Sequence, residues 1–422
     1  MLDIKLIRQN PELVKEGCRK KRAQVDVDRI LDLDKKRGIF LKEIEDLRHK
    51  QKSFGKEQIG EAKKNKEEIK KLEEDFKEID SELQKLILLL PNLPADDVPE
   101  GKDENDNVVL REVGEKPNFN FILKDYLEIA EKLDWIDVGR AAKVSGSRFG
   151  YLKNTAALLE FALASYVFNV LTDEKILKSI ADKVKEGYST KPFVPVVPPA
   201  MIKPEVFKKM ARLDPGQEEE RYFLPKDDLY LIGSAEHTLG PLHMDEILLE
   251  DSLPIRYIGF SSSFRRESGS YGKDTRGIIR VHQFDKLEME SFTAPENSIL
   301  EQNFIVAIQE YLMASLGIPY RVIMICAGDM GGPDARQLDI EAWIPSENKY
   351  RETHTSDLMT DYQSRRLNTK IKRKNGEMQF AHMNDATAFA IGRTIIAIIE
   401  NFQQADGSVK IPEVLEKYLV KS

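Results

Sequence analysis

Two stretches of the chain repeat apolar residues every three and four positions, and prolines close the second of them. The first runs from Leu33 through Phe40, Ile44 and Leu47 to Phe54, with Arg37 and Gln51 at polar positions of the same stripe. The second runs through Ile69, Leu72, Phe76, Ile79, Leu83, Leu86 and Leu90. Alternating spacings of three and four place every apolar residue on one seam of an α-helix, the pattern of a coiled coil. A break at 55–60, with glycine at both ends and a lysine-rich run after it, separates the seams. Pro91 and Pro94 cannot continue a helix. This predicts one antiparallel hairpin over about 26–90, an arm about 45 Å long if each helix has roughly 30 residues rising 1.5 Å apiece.

The rest of the chain has no such repeat. After Pro99 comes a polar connector, GKDENDN, which predicts a boundary between an N-terminal domain, 1–105, and a larger one, 106–422. Beyond it, helical patterns at 156–171, 298–316 and 387–402 alternate with β-rich runs at 254–260, 277–281 and 320–326. Neither GxGxxG nor GxxxxGK[ST] occurs, so a nucleotide here would not rest on a Rossmann or P-loop device. No uninterrupted run of about 18 apolar residues predicts a membrane span, and the charged N-terminus does not read as a secretory signal. Two cysteines, Cys18 and Cys326, are too few for a disulfide framework and lack zinc-ligand spacing. A cytoplasmic protein is expected.

The net charge of −8 argues against a nucleic-acid partner only on average, because such binding depends on local clusters. One cluster lies around the break in the arm: Lys50, Lys52, Lys56, Lys63 and Lys64, continued by Lys66, Lys70 and Lys71. These lysines suit either a solvated helix face or a surface for RNA phosphates, and spacing alone leaves both open.

The segment 260–290, FSSSFRRESGSYGKDTRGIIRVHQFDKLEME, carries the most chemistry. Arg265 and Glu267 stand two apart on what reads as a strand, so both would face one side. A second strand carries Phe284, Lys286 and Glu288, again on one face. An arginine fork suits phosphate and a phenylalanine face suits a purine. Cross-strand salt bridges would explain the same alternation of charge.

FRRE, DTRG and RVHQFDKLE together resemble the second signature motif of class II aminoacyl-tRNA synthetases, in the form found in seryl-tRNA synthetases. The resemblance extends in order through PNLPADDVPEGKDENDN after the arm, PVVPPAMI (195–202, the first motif, at the family's dimer interface), YLIGSAEHTL, CAGDMGGPDARQLDIEAWIP, YRET, TDYQSRRLN and AFAIGRTIIAIIEN, the third motif. It implies an α+β architecture: an antiparallel helical arm that grips tRNA, then a catalytic domain on a mostly antiparallel sheet flanked by helices. It implies a homodimer that activates L-serine with ATP and Mg²⁺ and loads it onto tRNA(Ser), with tRNA(Sec) a further substrate. The arm lysines above would then be tRNA contacts.

The resemblance also assigns roles. Arg265 would clamp the α-phosphate and the substrate carboxylate, and Glu267 would accept from the adenine amino group. Phe284 and Arg393 would sandwich the adenine, with Arg393 reaching the γ-phosphate. Arg266 and Val281 would complete the ATP site. Glu352 and Thr355 would hold Mg²⁺ through hard oxygen ligands. Ser234, Ala235, Glu236, Arg265, Glu288, Asp385 and Thr387 would hold serine, whose hydroxyl must be read to reject analogues lacking it. This chain departs from the family at several of these places. Ser234 stands for a usual threonine, His354 and Thr355 for serines and Asp385 for an asparagine, and SDLMTD (356–361) differs from the common run. These changes either rearrange supporting hydrogen bonds or shift amino-acid preference. His282 and His382 lack a nucleophile or second imidazole nearby and read as structural, and no zinc is expected. Two other functions remain: a related enzyme that adenylates a different small amino acid or uses another acceptor, and a non-catalytic RNA-binding protein that kept the fold.

Overall fold

The computed structural model describes residues 1–55, 57–213, 216–268 and 276–419, and divides the chain into two compact units, Met1–Pro94 and Ala95–Ser422. The connector GKDENDN lies inside the second unit. In the first unit two short helices, α1 (Ile4–Gln9) and α2 (Pro11–Lys20), precede the long pair α3 (Val27–Ser53) and α4 (Ile59–Leu89). Asp26 caps α3 by accepting from the Arg29 amide at 2.9 Å.

Ile30, Leu33, Ile44, Leu83, Ile87 and Leu90 of the long pair are buried. Ion pairs flank the seam along its length. Arg29 meets Glu82 at 2.7 Å, Arg37 meets Asp80 at 2.6 Å, and Arg48 meets Glu73 at 2.7 Å. Asn65 is buried, and its amide donates to the Leu47 carbonyl (3.0 Å) and to Gln51 Oε1 (2.7 Å). An apolar seam alone would let the helices slide by a turn. These cross-helix polar pairs tie specific positions together and fix the register.

The second unit is built on an eight-stranded sheet. Its strands are β1 (Val108–Val113), β2 (Val194–Val196), β3 (Ile255–Phe264), β4 (Gln283–Thr293), β5 (Tyr320–Met324), β6 (Arg336–Ile344), β7 (Lys349–Thr360) and β8 (His382–Ala390). The spatial order is β1-β5-β6-β7-β8-β4-β3-β2, antiparallel throughout except for the parallel pair β2–β3. One face is covered by α5 (Thr155–Thr172), α6 (Glu174–Val184), α7 (Ser298–Leu316) and α8 (Ile391–Asn401). α5 is long and apolar enough by length and composition to pass for a membrane span. Half of it is buried inside the protein, however, with Leu159, Leu163, Val167 and Val170 in the core.

A fully buried ion pair anchors α7 to the sheet. Arg256 on β3 donates from two nitrogens to Glu301 at 2.6 and 2.7 Å, and Tyr188 and Ser291 donate to the same carboxylate at 2.5 and 2.7 Å. Burial pushes the Glu301 carboxyl upward, but Arg256 and the two hydroxyls outweigh it and hold it below the usual range.

Three sequence expectations need correction. Residues 265–267 follow the end of β3 rather than extending it, and Glu267 has φ +53°. The run 277–281 forms turns, not a strand. The pattern at 387–402 is a strand end followed by α8, which begins at Ile391.

Leu83 is buried in the arm seam, so Leu83→Ala should remove about 2–5 kcal/mol locally. Hydrogen exchange should show faster exchange of α3 and α4 amides with the sheet of the second unit unchanged.

Candidate active site

The exposed face of the sheet forms the floor of a cleft of about 500 Å³. Alternation along β4 puts Phe284, Lys286, Glu288 and Glu290 on this face. Opposite Glu288 on β3 is Gly259, where an added Cβ would stand 2.8 Å from Leu239 and 3.3 Å from Ala235. The missing side chain lets the short helix Glu236–Leu239 lie directly on the sheet, which delivers Glu236 to the cleft.

Two β-bulges set the remaining floor. Asp339 pairs with Thr355, but Glu341 pairs with Glu352, so Thr353 is an extra residue on β7. Residues three apart on a regular strand face opposite ways, and the bulge brings Glu352 and Thr355 to the same side. On β8, Leu287 faces Phe389 while Glu288 faces Thr387. That bulge, at Ala388, puts Thr387 and Ala390 together on the cleft face.

The arginines enter from the edges. The Arg265 amide donates to the His282 carbonyl at 3.0 Å, and the His282 ring bonds the Arg265 carbonyl at 3.1 Å. Arg265 Nε donates to the Gly233 carbonyl (3.1 Å), and its guanidinium stacks 5.3 Å over the Phe284 ring. Burial, then the nearby Arg393, depress its pKa. Arg393, from α8, donates at 3.0 Å to both the Glu352 carbonyl and its carboxylate. Burial raises the Glu352 carboxyl, but Arg393 and Arg265 hold it below the usual range. Glu267 receives Arg280 at 3.4 Å.

Arg265, Glu267, Val281, Phe284, Glu352, Thr355, Arg393, Glu236, Glu288, Asp385 and Thr387 all line this cleft. Arg266, Ser234 and Ala235 are not among its lining residues. Arg266 donates instead to the Arg221 carbonyl at 2.8 Å and stacks over Tyr222. Ser234 is buried one layer back, where its hydroxyl accepts from Lys286 at 3.3 Å. Ala235 is fully buried. His382 bonds the Ser298 hydroxyl at 3.0 Å, away from the cleft. In the arm, Lys50 and Lys52 are exposed in the last turn of α3, and Lys63 and Lys64 are exposed near the start of α4. Lys56 lies outside the described residues.

Sequence reasoning missed Arg212, the hub of the inner end of the cleft. Its Nε meets Glu236 at 2.7 Å, and its Nη2 stands 3.7, 3.8 and 3.9 Å from Asp385, Asp334 and Asp357. Nothing in the surrounding MARLDPG marks it, and only the tertiary fold surrounds it with acids. Burial, followed by neighbouring carboxylates, raises the pKa of Asp357, Asp385 and Glu290 well above the carboxylate range.

Residues 1–94 match the seryl-tRNA synthetase N-terminal domain, and 222–402 match the class II tRNA synthetase core domain for G, H, P, S and T. A serine--tRNA ligase of Dictyoglomus turgidum is 41% identical, with 99% of this chain and 98% of that protein aligned. The chain belongs to the seryl-tRNA synthetase family. Among solved structures, the seryl-tRNA synthetase from Pyrococcus horikoshii complexed with ATP superposes with TM-score 0.89 at 37% identity, over 99% of this chain and 98% of that one. The cytoplasmic serine-tRNA ligase of Naegleria fowleri, in complex with AMP, gives 0.87 at 32%, over 99% and 97%. The family's long helical pair and mostly antiparallel catalytic sheet are both present here.

Asp385 binds its proton more tightly when folded than when unfolded, so it costs stability as pH rises above the unfolded value of about 4. Asp385→Asn should flatten the decline of unfolding free energy with pH above that point by up to about 1.4 kcal/mol per unit. Urea titrations of both proteins across pH 4–8 would measure it; equal slopes would contradict the assignment.

Proposed function

We propose that this chain activates L-serine with ATP and transfers it to the 3′ end of tRNA(Ser), with tRNA(Sec) a second acceptor. The observation that carries this reading is the convergence of Arg265, Phe284, Glu352 and Arg393 with Glu236 and Glu288 in one cleft. Phe284 offers a face for adenine, and Arg393 closes the other side once ATP draws it from Glu352. Arg265 then faces both the α-phosphate and the amino-acid carboxylate. The carboxylate oxygen attacks the α-phosphorus in line, pyrophosphate leaves, and serine becomes a mixed anhydride with AMP. A ribose hydroxyl at the tRNA terminus next attacks the carbonyl carbon, its proton is released, and AMP departs.

Neither step requires a tuned acid or base. Holding the reactants in line and stabilising charge at phosphorus supply the acceleration. The carboxylate of Glu352 and the hydroxyl of Thr355, brought to one side by the bulge at Thr353, are hard donors suited to Mg²⁺. Bound there with ATP, the ion would neutralise phosphate charge. Glu236 and Glu288 supply carboxylates for the serine ammonium and hydroxyl. Exposed Lys50, Lys52, Lys63 and Lys64 give the arm a basic end for RNA phosphates.

Dimerisation is supported by the apolar residues around β2. Val194, Val197 and Met201 are exposed, Val197 by 85%, beside exposed Phe161 on α5. Large apolar side chains left exposed in this way are what an isologous contact buries. Both cysteines are free and buried, which suits a reducing cytoplasm.

Arg265→Ala should slow serine-dependent pyrophosphate exchange by at least about 10²–10³-fold, the cost of losing one preorganised donor; near-normal turnover would refute its role. Deleting residues 33–90 should leave exchange largely intact while abolishing tRNA charging. Joint loss of both activities would instead make the arm necessary for folding.

A further inference from the structure

Three strands bring acids into one line at the inner end of the cleft. Glu290 on β4 stands opposite Asp385 on β8, and Asp385 stands opposite Asp357 on β7. Antiparallel partners project to the same side of a sheet, so their carboxyls form a row across three adjacent strands. Glu236 and Glu288 stand beside it. All five are more than nine-tenths buried, and all but Glu290 line the cleft.

The cations within ion-pair distance of these acids, among the described residues, are Arg212 and Lys286. Lys286 is paired with Glu288, and Arg212 gives its short contact to Glu236. Its Nη2 is 3.7 Å from Asp385 and 3.9 Å from Asp357, beyond hydrogen-bond reach. Asp385 Oδ2, Asp357 Oδ1 and both oxygens of Glu290 have no hydrogen-bond partner among the described residues. Buried acceptors left in this state are costly unless a ligand supplies the donors.

Donor counting decides which ligand. Serine brings an ammonium for the carboxylates beside the row and a hydroxyl with one proton to donate. One proton cannot satisfy oxygens on both Asp357 and Asp385 when these are ionised. A side-chain ammonium brings three donors and a positive charge, which the surplus of carboxyls lacks. Among the described residues no three acids are gathered closely enough to form a metal site as they stand.

We propose that the pocket accepts, in competition with serine, a small amino acid whose short side chain ends in an ammonium group, held by Asp385 and Asp357 with Glu290 behind them. The proposal rests on the reading that this end of the cleft holds the amino acid.

The test is pyrophosphate exchange on the full-length protein with L-serine, L-2,3-diaminopropionate, L-2,4-diaminobutyrate and L-alanine. At least one diamino acid should support exchange at ten-fold or more the kcat/KM of alanine. Asp385→Asn should lower the ratio of diamino-acid to serine kcat/KM at least ten-fold. Serine exchange without diamino-acid exchange or competitive inhibition would overturn the proposal and leave the serine reading standing. Diamino-acid exchange with an unchanged ratio in Asp385→Asn would remove the row from the recognition. If no amino acid supports exchange, the functional reading falls. Calorimetric titration with L-2,4-diaminobutyrate then decides the pocket alone: saturable binding weakened ten-fold in Asp385→Asn sustains the proposal, and no binding overturns it.

Discussion

The catalytic cleft depends on two strands that stop pairing. β7 and β8 are joined between Ser356 and Thr360 on one side and Ala386 and Met383 on the other. Beyond Ser356 and Ala386 they have no ladder partner in each other, which leaves the carbonyls of Thr355 and Thr387 without one. Gln309 reaches up from α7 and donates its Nε2 to both, at 2.9 and 2.8 Å. Gln302, two turns earlier, donates to the carbonyls of Arg336 on β6 and Ser356 on β7, at 3.0 and 2.9 Å, and ties α7 to that pair of strands. Buried carbonyls stripped of partners would cost about 1–3 kcal/mol each. Gln309 therefore makes the split between β7 and β8 tolerable. Glu352 and Thr355 rise on one lip of the split, and Thr387 and Arg393 on the other.

Burial of charge is handled in opposite ways on the two faces of this sheet. Beneath it, Glu301 has Arg256, Tyr188 and Ser291 as donors, so its ionised form is satisfied on all sides. Removing one partner of such a pair costs about 3–5 kcal/mol, because the other charge is left alone. Above the sheet, Arg212 is shared among Glu236, Asp334, Asp357 and Asp385, and several carboxyl oxygens have no donor. On the proposed reading, the cleft is where a ligand's donors arrive. The contrast separates an acid whose charge is met within the fold from acids whose oxygens are not.

What could be read in advance depended on whether a feature was local. The arm was legible because its seam repeats over many turns, and Pro91 ends it by chemistry alone. The helix at 298–316 matched its observed bounds for the same reason, closed by Gly317 at φ +71°. Arg265 and Glu267 were found as residues but misplaced on a strand, because alternation of charge cannot reveal that the chain leaves the sheet after Phe264. Glu352 and Thr355 could not be paired by periodicity at all; the bulge at Thr353 that unites them is set by the register with β6. Arg212 carries no local mark, and its importance exists only where separate parts of the chain meet.

The acidic total charge is also explained by where the acids sit. Several stand inside, as Glu236, Glu288, Glu290, Asp357 and Asp385 do, and are not part of the exposed negative surface. Others in the arm are spent on Arg29, Arg37 and Arg48 along the seam. Lys50, Lys52, Lys63 and Lys64 remain exposed at the end of the hairpin where the helices reverse. Their attraction for phosphate is set within about a Debye length, roughly 8–10 Å at physiological salt. A polyanion approaching that end therefore meets the local cluster and not the sum over the chain. The net charge excludes RNA only for a protein whose charges are evenly spread, and this one segregates them.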